Sequence, residues 1–129
     1  MGTGPGSPGS GEAISVTDIH TFEFKNNHIH HTYKEGIGVK ESSNGKIYRN
    51  HIHDIDRIGI YLDSWDGPEH DIDIYQNLVH DCGSNGIGLA VEQANGSLEN
   101  ISIYNNILYN NKANGIRISA YNYPTPREY

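Results

Sequence analysis

The densest chemistry in the chain lies between Tyr61 and Asp71, where two aromatics, four acids and a histidine fall within eleven residues. Tyr61 and Trp65 offer stacking faces to a sugar ring. Asp63, Asp66 and Glu69 are oxygen ligands of the kind Ca2+ takes, and paired carboxyls are what acid–base cleavage of a glycosidic bond needs. Elsewhere Lys40 and Arg117 supply positive charge, and Glu92 and Gln93 add polar groups. Asp63, Asp66, Arg117 and Lys40 are therefore candidate catalytic residues, and Tyr61, Trp65, His70 and Glu92 candidate substrate contacts. The same segment also reads as a simple coil closure. Asp66-Gly67-Pro68 is ordinary turn chemistry, and Trp65 can cap a loop.

The histidines form a second group. Six of the eight are His28, His30, His31, His51, His53 and His80. Aligned by their surroundings, His30, His53, His80 and Tyr109 share one column, and His28 and His51 another. Imidazoles one repeat apart can share Zn2+ or Ni2+ with carboxylates orienting the rings, so His30, His53 and His80 are candidate metal ligands beside His31, Asp54 and Asp81. The competing reading is a pile of flat rings, which Tyr109 favours. Tyr48, Tyr75 and Tyr104 make a similar column, read as a stacking ladder. Histidines packed this way are expected to destabilise the chain when they charge together near pH 6.

What must position these groups is a repeat. Phe22-x-Phe24, Gly45-x-Ile47, Ile72-x-Ile74 and Ile101-x-Ile103 each lead, at constant spacing, to Asn27, Asn50, Asn77 and Asn106. Each continues to Ile29, Ile52, Val79 or Leu108. It then reaches Gly36-Ile37-x-Val39, Gly59-Ile60-x-Leu62, Gly86-Ile87-x-Leu89 or Gly115-Ile116-x-Ile118. Ile14 and Val16 begin a partial unit. Short apolar runs of period 2 separated by Asn and Gly are strands. Three of them cannot bury their own apolar faces, so the units must stack with like strands about 4.8 Å apart. The Asn column suits a corner in left-handed conformation and can hydrogen-bond from coil to coil. The Gly column suits a positive φ or a close backbone approach.

The pattern resembles the pectate-lyase-like superfamily of right-handed parallel β-helices over roughly residues 13–119, including its asparagine ladder. That resemblance implies an all-β solenoid of about four coils, carbohydrate activity and an extracellular or cell-surface setting. Gly115-Ile116-Arg117-Ile118-Ser119 is similar to the Arg-Ile-Lys element of polygalacturonases, with Ser in place of Lys. The paired aspartates and the Gly-His-Gly of those enzymes are not in this chain. A lyase-type site would use Asp63, Asp66 and Glu92 around Ca2+, with Lys40 or Arg117 as base. An epimerase-type site would use Tyr61, Asp63 and His70, without that family's Asp-Pro-His order.

All variation in repeat length falls after the Gly-Ile strand. The gaps from Val39 to Ile47, Leu62 to Ile74 and Leu89 to Ile103 are eight, twelve and fourteen residues. Insertions in a solenoid gather on one face, often the binding face. Alternation turns Gly38, Tyr61, Gly88 and Arg117 outward there, followed by Lys40, Asp63, Ala90 and Ser119.

Composition bounds the rest. Hydrophobic residues are 35% of the 129, low for an α/β domain and adequate for a narrow solenoid core. A net charge of −7 with only nine Lys and Arg argues against nucleic acid as partner. No apolar run is long enough to cross a bilayer, and no signal peptide opens the chain. Residues 1–12 read as a flexible linker, 13–120 as the β-helix and 121–129 as a tail. Cys82 stands alone, so no internal disulfide is expected. Two functions follow. One is a carbohydrate-active β-helix that recognises, and in its enzymatic form cleaves, a polysaccharide. The other is a non-catalytic interaction module that self-associates through open coil ends, or a piece of a longer solenoid.

Overall fold

A computed structural model describes residues 11–120. Thirteen strands run β1 (Ile14–Thr17), β2 (His20–Lys25), β3 (His28–Thr32), β4 (Ile37–Lys40), β5 (Ser43–Tyr48), β6 (His51–Ile55) and β7 (Ile60–Ser64). They continue with β8 (Pro68–Tyr75), β9 (Leu78–Cys82), β10 (Ile87–Val91), β11 (Ser97–Tyr104), β12 (Ile107–Tyr109) and β13 (Ile116–Ser119). Every third strand pairs in parallel with its predecessor. The first sheet is β1-β4-β7-β10-β13, the second β2-β5-β8-β11 and the third β3-β6-β9-β12. Four coils thus follow a partial one. The linker and tail expected at 1–12 and 121–129 fall outside the described residues, except Gly11 and Glu12.

The core follows the repeat. Phe24, Ile47, Ile74 and Ile103 stack in register, as do Ile29, Ile52, Val79 and Leu108. Ile37, Ile60, Ile87 and Ile116 form a third ladder, and Val39, Leu62, Leu89 and Ile118 a fourth. Ile47, Ile52, Ile60, Leu62 and Ile74 are wholly buried. The ring of Phe22 fills the space that a Cβ on Gly45 would occupy.

The corners differ from expectation at the Asn column. The left-handed residue is not the ladder Asn but its predecessor: Asn26, Arg49, Gln76 and Asn105 have φ of 57, 55, 55 and 55°. The ladder Asn is there for its side chain. Asn27, Asn50 and Asn77 each donate Nδ2–H to Oδ1 of the next Asn, at 3.0, 2.9 and 3.0 Å. The same Oδ1 atoms accept the backbone N–H of the preceding coil's Asn. The second Nδ2–H of Asn50, Asn77 and Asn106 goes to the carbonyls of Phe24, Ile47 and Ile74. The Gly column answers to close approach alone, since a Cβ on Gly59 would lie 2.7 Å from Gly86 O and 2.5 Å from Val79 Cγ1.

The added length after the first sheet is mostly strand. β8 and β11 have 8 residues against 6 in β2 and β5. A column of left-handed residues, Thr21, Asn44, Asp71 and Asn100, runs through all four strands of the second sheet. Each strand has one such residue opposite one on its neighbour, so the register continues unbroken across the column.

Candidate functional site

The first sheet's outer face holds a cleft of about 410 Å3. Tyr61 stands in its wall. Gly38 and Gly88 flank Tyr61 in register on the neighbouring strands, and the space over them is taken by Glu12 at Gly38 and by Ile58 at Gly88. A Cβ on Gly88 would meet Tyr61 Cδ1 at 3.2 Å. Two residues on, Lys40 pairs with Asp63, and Lys40 Nζ lies 3.6 Å from Asp63 Oδ2. Asp63 is 4% exposed although alternation turns it outward, because the lengthened coil covers it. The Tyr61 hydroxyl donates to Glu92 Oε2.

The electrostatics follow from this crowding. Burial and then the adjacent Glu92 push Asp63 up to about 7, against the pull of Lys40. Asp63 Oδ1 has no hydrogen-bond partner among the described residues. Burial and the bond to Glu92 raise the Tyr61 phenol. Asp63 is thus a carboxyl held near neutrality, beside Glu92, whose Oε2 accepts the hydrogen bond from the Tyr61 hydroxyl. Such a pair can donate and accept protons or hydrogen bonds at a bound hydroxyl or glycosidic oxygen.

Not all the expected residues meet here. Tyr61, Asp63, Lys40 and Glu92 share the cleft. Trp65, 44% exposed, stands at its edge with Lys40 Nζ 5.7 Å from the ring centroid. Arg117 lies beyond Tyr61 in a separate hollow of about 190 Å3 with Gly88 and Ser119. Asp66 belongs to loop closure, since its Oδ1 accepts from Asn95 Nδ2 at 3.2 Å. The backbone N–H groups of Trp65 and Asp66 both donate to Glu41 Oε2, at 2.7 and 3.1 Å. The triad Asp63, Asp66 and Glu92 is therefore divided between cleft and loop. His70 lies on β8 and bonds Asp71 through Nδ1 at 2.7 Å. Glu69, expected on a loop, points into the core. It is 0% exposed, neither carboxyl oxygen has a hydrogen-bond partner among the described residues, and burial pushes it up to about 8.

The cleft also contains residues that sequence reasoning passed over. Glu12, Lys34, Glu35 and Arg57 line it. Glu12 was assigned to the linker. Lys34 and Arg57 occupy one column, two residues ahead of Gly36 and Gly59, and are joined by the bond from Arg57 N–H to Lys34 O. That column is visible in the repeat, but it precedes the Gly-Ile strand, whereas the variation in repeat length follows it. Burial raises Glu35, and Arg57 opposes the rise.

On the third sheet the expected histidine column stacks face to face. His30–His53 and His53–His80 centroids are 5.2 and 5.1 Å apart with rings within 7 and 6° of parallel. Tyr109 continues the stack on His80 at 4.6 Å. Parallel rings in one column do not turn their nitrogens on one point. The histidines whose nitrogens do converge are His28, His51 and His53. The tyrosine ladder forms as expected, Tyr48–Tyr75 at 4.8 Å and Tyr75–Tyr104 at 5.1 Å. A larger hollow of about 610 Å3 lies at the turns after the third sheet. Its Asp54 and Asp81 are already bonded to His53 and His80.

The family described as right handed beta helix region matches residues 7–127. No curated protein and no solved structure matches the chain.

Proposed function

Because the chain belongs to the right-handed β-helix family, which the pectate-lyase-like superfamily fits, we propose that it binds carbohydrate chains in the cleft over its first sheet. The observation that carries this reading is the meeting of Tyr61, Asp63, Glu92 and Lys40 in one cleft, with an exposed Trp65 at the edge. Trp65 supplies a stacking face, and the cleft groups supply hydrogen-bond donors and acceptors for hydroxyls. Lys34, Lys40 and Arg57 attract a uronate carboxylate locally, despite the chain's overall negative charge. If the bound chain is cleaved, Asp63 is the acid and Glu92 the base. Arg117, on the far side of Tyr61, contacts the next sugar unit. An extracellular or cell-surface setting accords with such a ligand.

The test is a glycan array probed with and without Ca2+. Binding to polysaccharide or oligosaccharide spots, lost in Asp63→Asn and Tyr61→Ala, is the expected result. A dependence on Ca2+ would assign the cation to Asp63 and Glu92. No binding in either condition overturns the reading.

One observation favours a second reading, a non-catalytic module that associates with copies of itself. The last described coil exposes core-ladder side chains, Ile116 at 45% and Ile118 at 72%. Exposed apolar side chains of this kind offer a surface to a second copy.

A further inference from the structure

The outward face of the third sheet carries a second chemistry, unrelated to the cleft. His28 from β3 and His51 and His53 from β6 each present a ring nitrogen, and these nitrogens lie within 4.8 Å of one another. His51 and His53 are two apart on one strand and so share a face. His28 pairs in register with His51, and the two rings stack at 4.8 Å. The close nitrogen contacts run diagonally between columns. His28 Nε2 is 2.9 Å from His53 Nε2, and His51 Nε2 is 2.9 Å from His80 Nε2.

The carboxylates fix the tautomers. His53 Nδ1 lies 2.6 Å from Asp54 Oδ2, and His80 Nδ1 2.6 Å from Asp81 Oδ2. A carboxylate only accepts, so each of these Nδ1 atoms carries the proton and each Nε2 is a bare lone pair. His28 and His51 then donate Nε2–H to His53 and His80. A histidine whose Nδ1–H is held by a carboxylate and whose Nε2 is free is arranged as metal-ligating histidines are.

We propose that His28, His51 and His53 form a binding site for one divalent transition-metal ion of the Zn2+, Ni2+ or Cu2+ class. Asp54 orients His53. His80, held by Asp81, abuts His51 at the rim. All the donors are imidazole nitrogens, which suit these ions and not Ca2+ or Mg2+. Two nitrogens at the usual bond length on a tetrahedral ion stand roughly 3.3 Å apart, so to admit one the 2.9 Å His28–His53 pair opens slightly, the wider contacts within the 4.8 Å group close, and the His28 and His51 rings, 9° from parallel, turn out of their stack toward it. On binding, the Nε2 protons of His28 and His51 move through solvent to Nδ1, and no net proton is released by that exchange. The ion joins the first full coil to the second, so it adds a cross-link that the unfolded chain lacks.

The experiment is calorimetric titration of the whole chain with ZnCl2 and, separately, NiCl2, paired with thermal melts. The expected result is saturable binding of one ion per chain and a rise in Tm. Affinity should fall at least ten-fold in His28→Ala and His53→Ala, and roughly ten-fold in Asp54→Asn. It should be unchanged in His20→Ala and His70→Ala, whose rings lie elsewhere. If His53→Ala fails to fold, His28→Gln at the exposed rim gives the same reading. Absence of saturable binding overturns the proposal, as does binding that survives the His28 and His53 variants or is lost in His70→Ala.

Discussion

Glu69 holds a carboxyl in the core with neither oxygen hydrogen-bonded among the described residues, and burial raises it to about 8. In the unfolded chain a glutamate ionises near 4.3. Between these values the folded chain keeps a proton that the unfolded chain releases. Stability therefore falls as pH rises through that window, by roughly 1.4 kcal/mol per pH unit, and levels off above it. Glu69→Gln removes this residue's share of the dependence. Denaturation at pH 5 and pH 8 should show the variant gaining on the parent as pH rises, and a constant difference would contradict this. Asp63 follows the same sign over a window ending near 7. At this scale the sequence disclosed Tyr61, Asp63, Lys40 and Glu92, because alternation along a strand tells which side chains turn outward. It hid Glu69 and Glu12, whose placement depends on where a strand begins. His28 and His51 were visible as a column. The diagonal meeting of their nitrogens with those of His53 and His80 depends on ring rotation, which no spacing encodes.

Among the elements, the asparagine ladder is the most exacting. Asn77 Oδ1 accepts from both the backbone N–H and the Nδ2 of Asn50, while its own Nδ2 serves Asn106 Oδ1 and the Ile47 carbonyl. Asn77→Ala leaves at least three of these buried groups unpaired, at about 1–3 kcal/mol each. A loss of about 3 kcal/mol or more is expected by chemical denaturation. Asn27→Ala, at the ladder's first member, should cost less. Equal and small effects would show that the ladder contributes no cohesion. The ladder was legible from the sequence because an invariant Asn at fixed spacing has few other uses. The left-handed column through Thr21, Asn44, Asp71 and Asn100 was not. Two of its members are Asn and one Asp, but Thr21 breaks the pattern and only the backbone conformation is common to all four. The extra residues before Ile74 and Ile103 consequently read as loops, although the structure places them in longer strands.

At the scale of the molecule, four coils and three parallel sheets were readable because every core ladder repeats. A solenoid's fold is a sum of neighbouring contacts, each visible in the alignment. Function is not repeated in this way, and the cleft draws on single residues from successive coils. The exposed Ile116 and Ile118 predict concentration-dependent association. Sedimentation should detect it, and Ile118→Lys should reduce it. A monomer at all concentrations would remove the self-associating reading and leave the cleft unaffected.

Carbohydrate binding in the first-sheet cleft, as proposed above, can be read from Trp65. It is the chain's single tryptophan, and it stands at the cleft edge beside Lys40. Its fluorescence, titrated with uronate-containing and neutral oligosaccharides, should change saturably in the parent chain and lose that change in Tyr61→Ala. A signal that stays flat with every sugar, or is the same in the variant, would contradict the account.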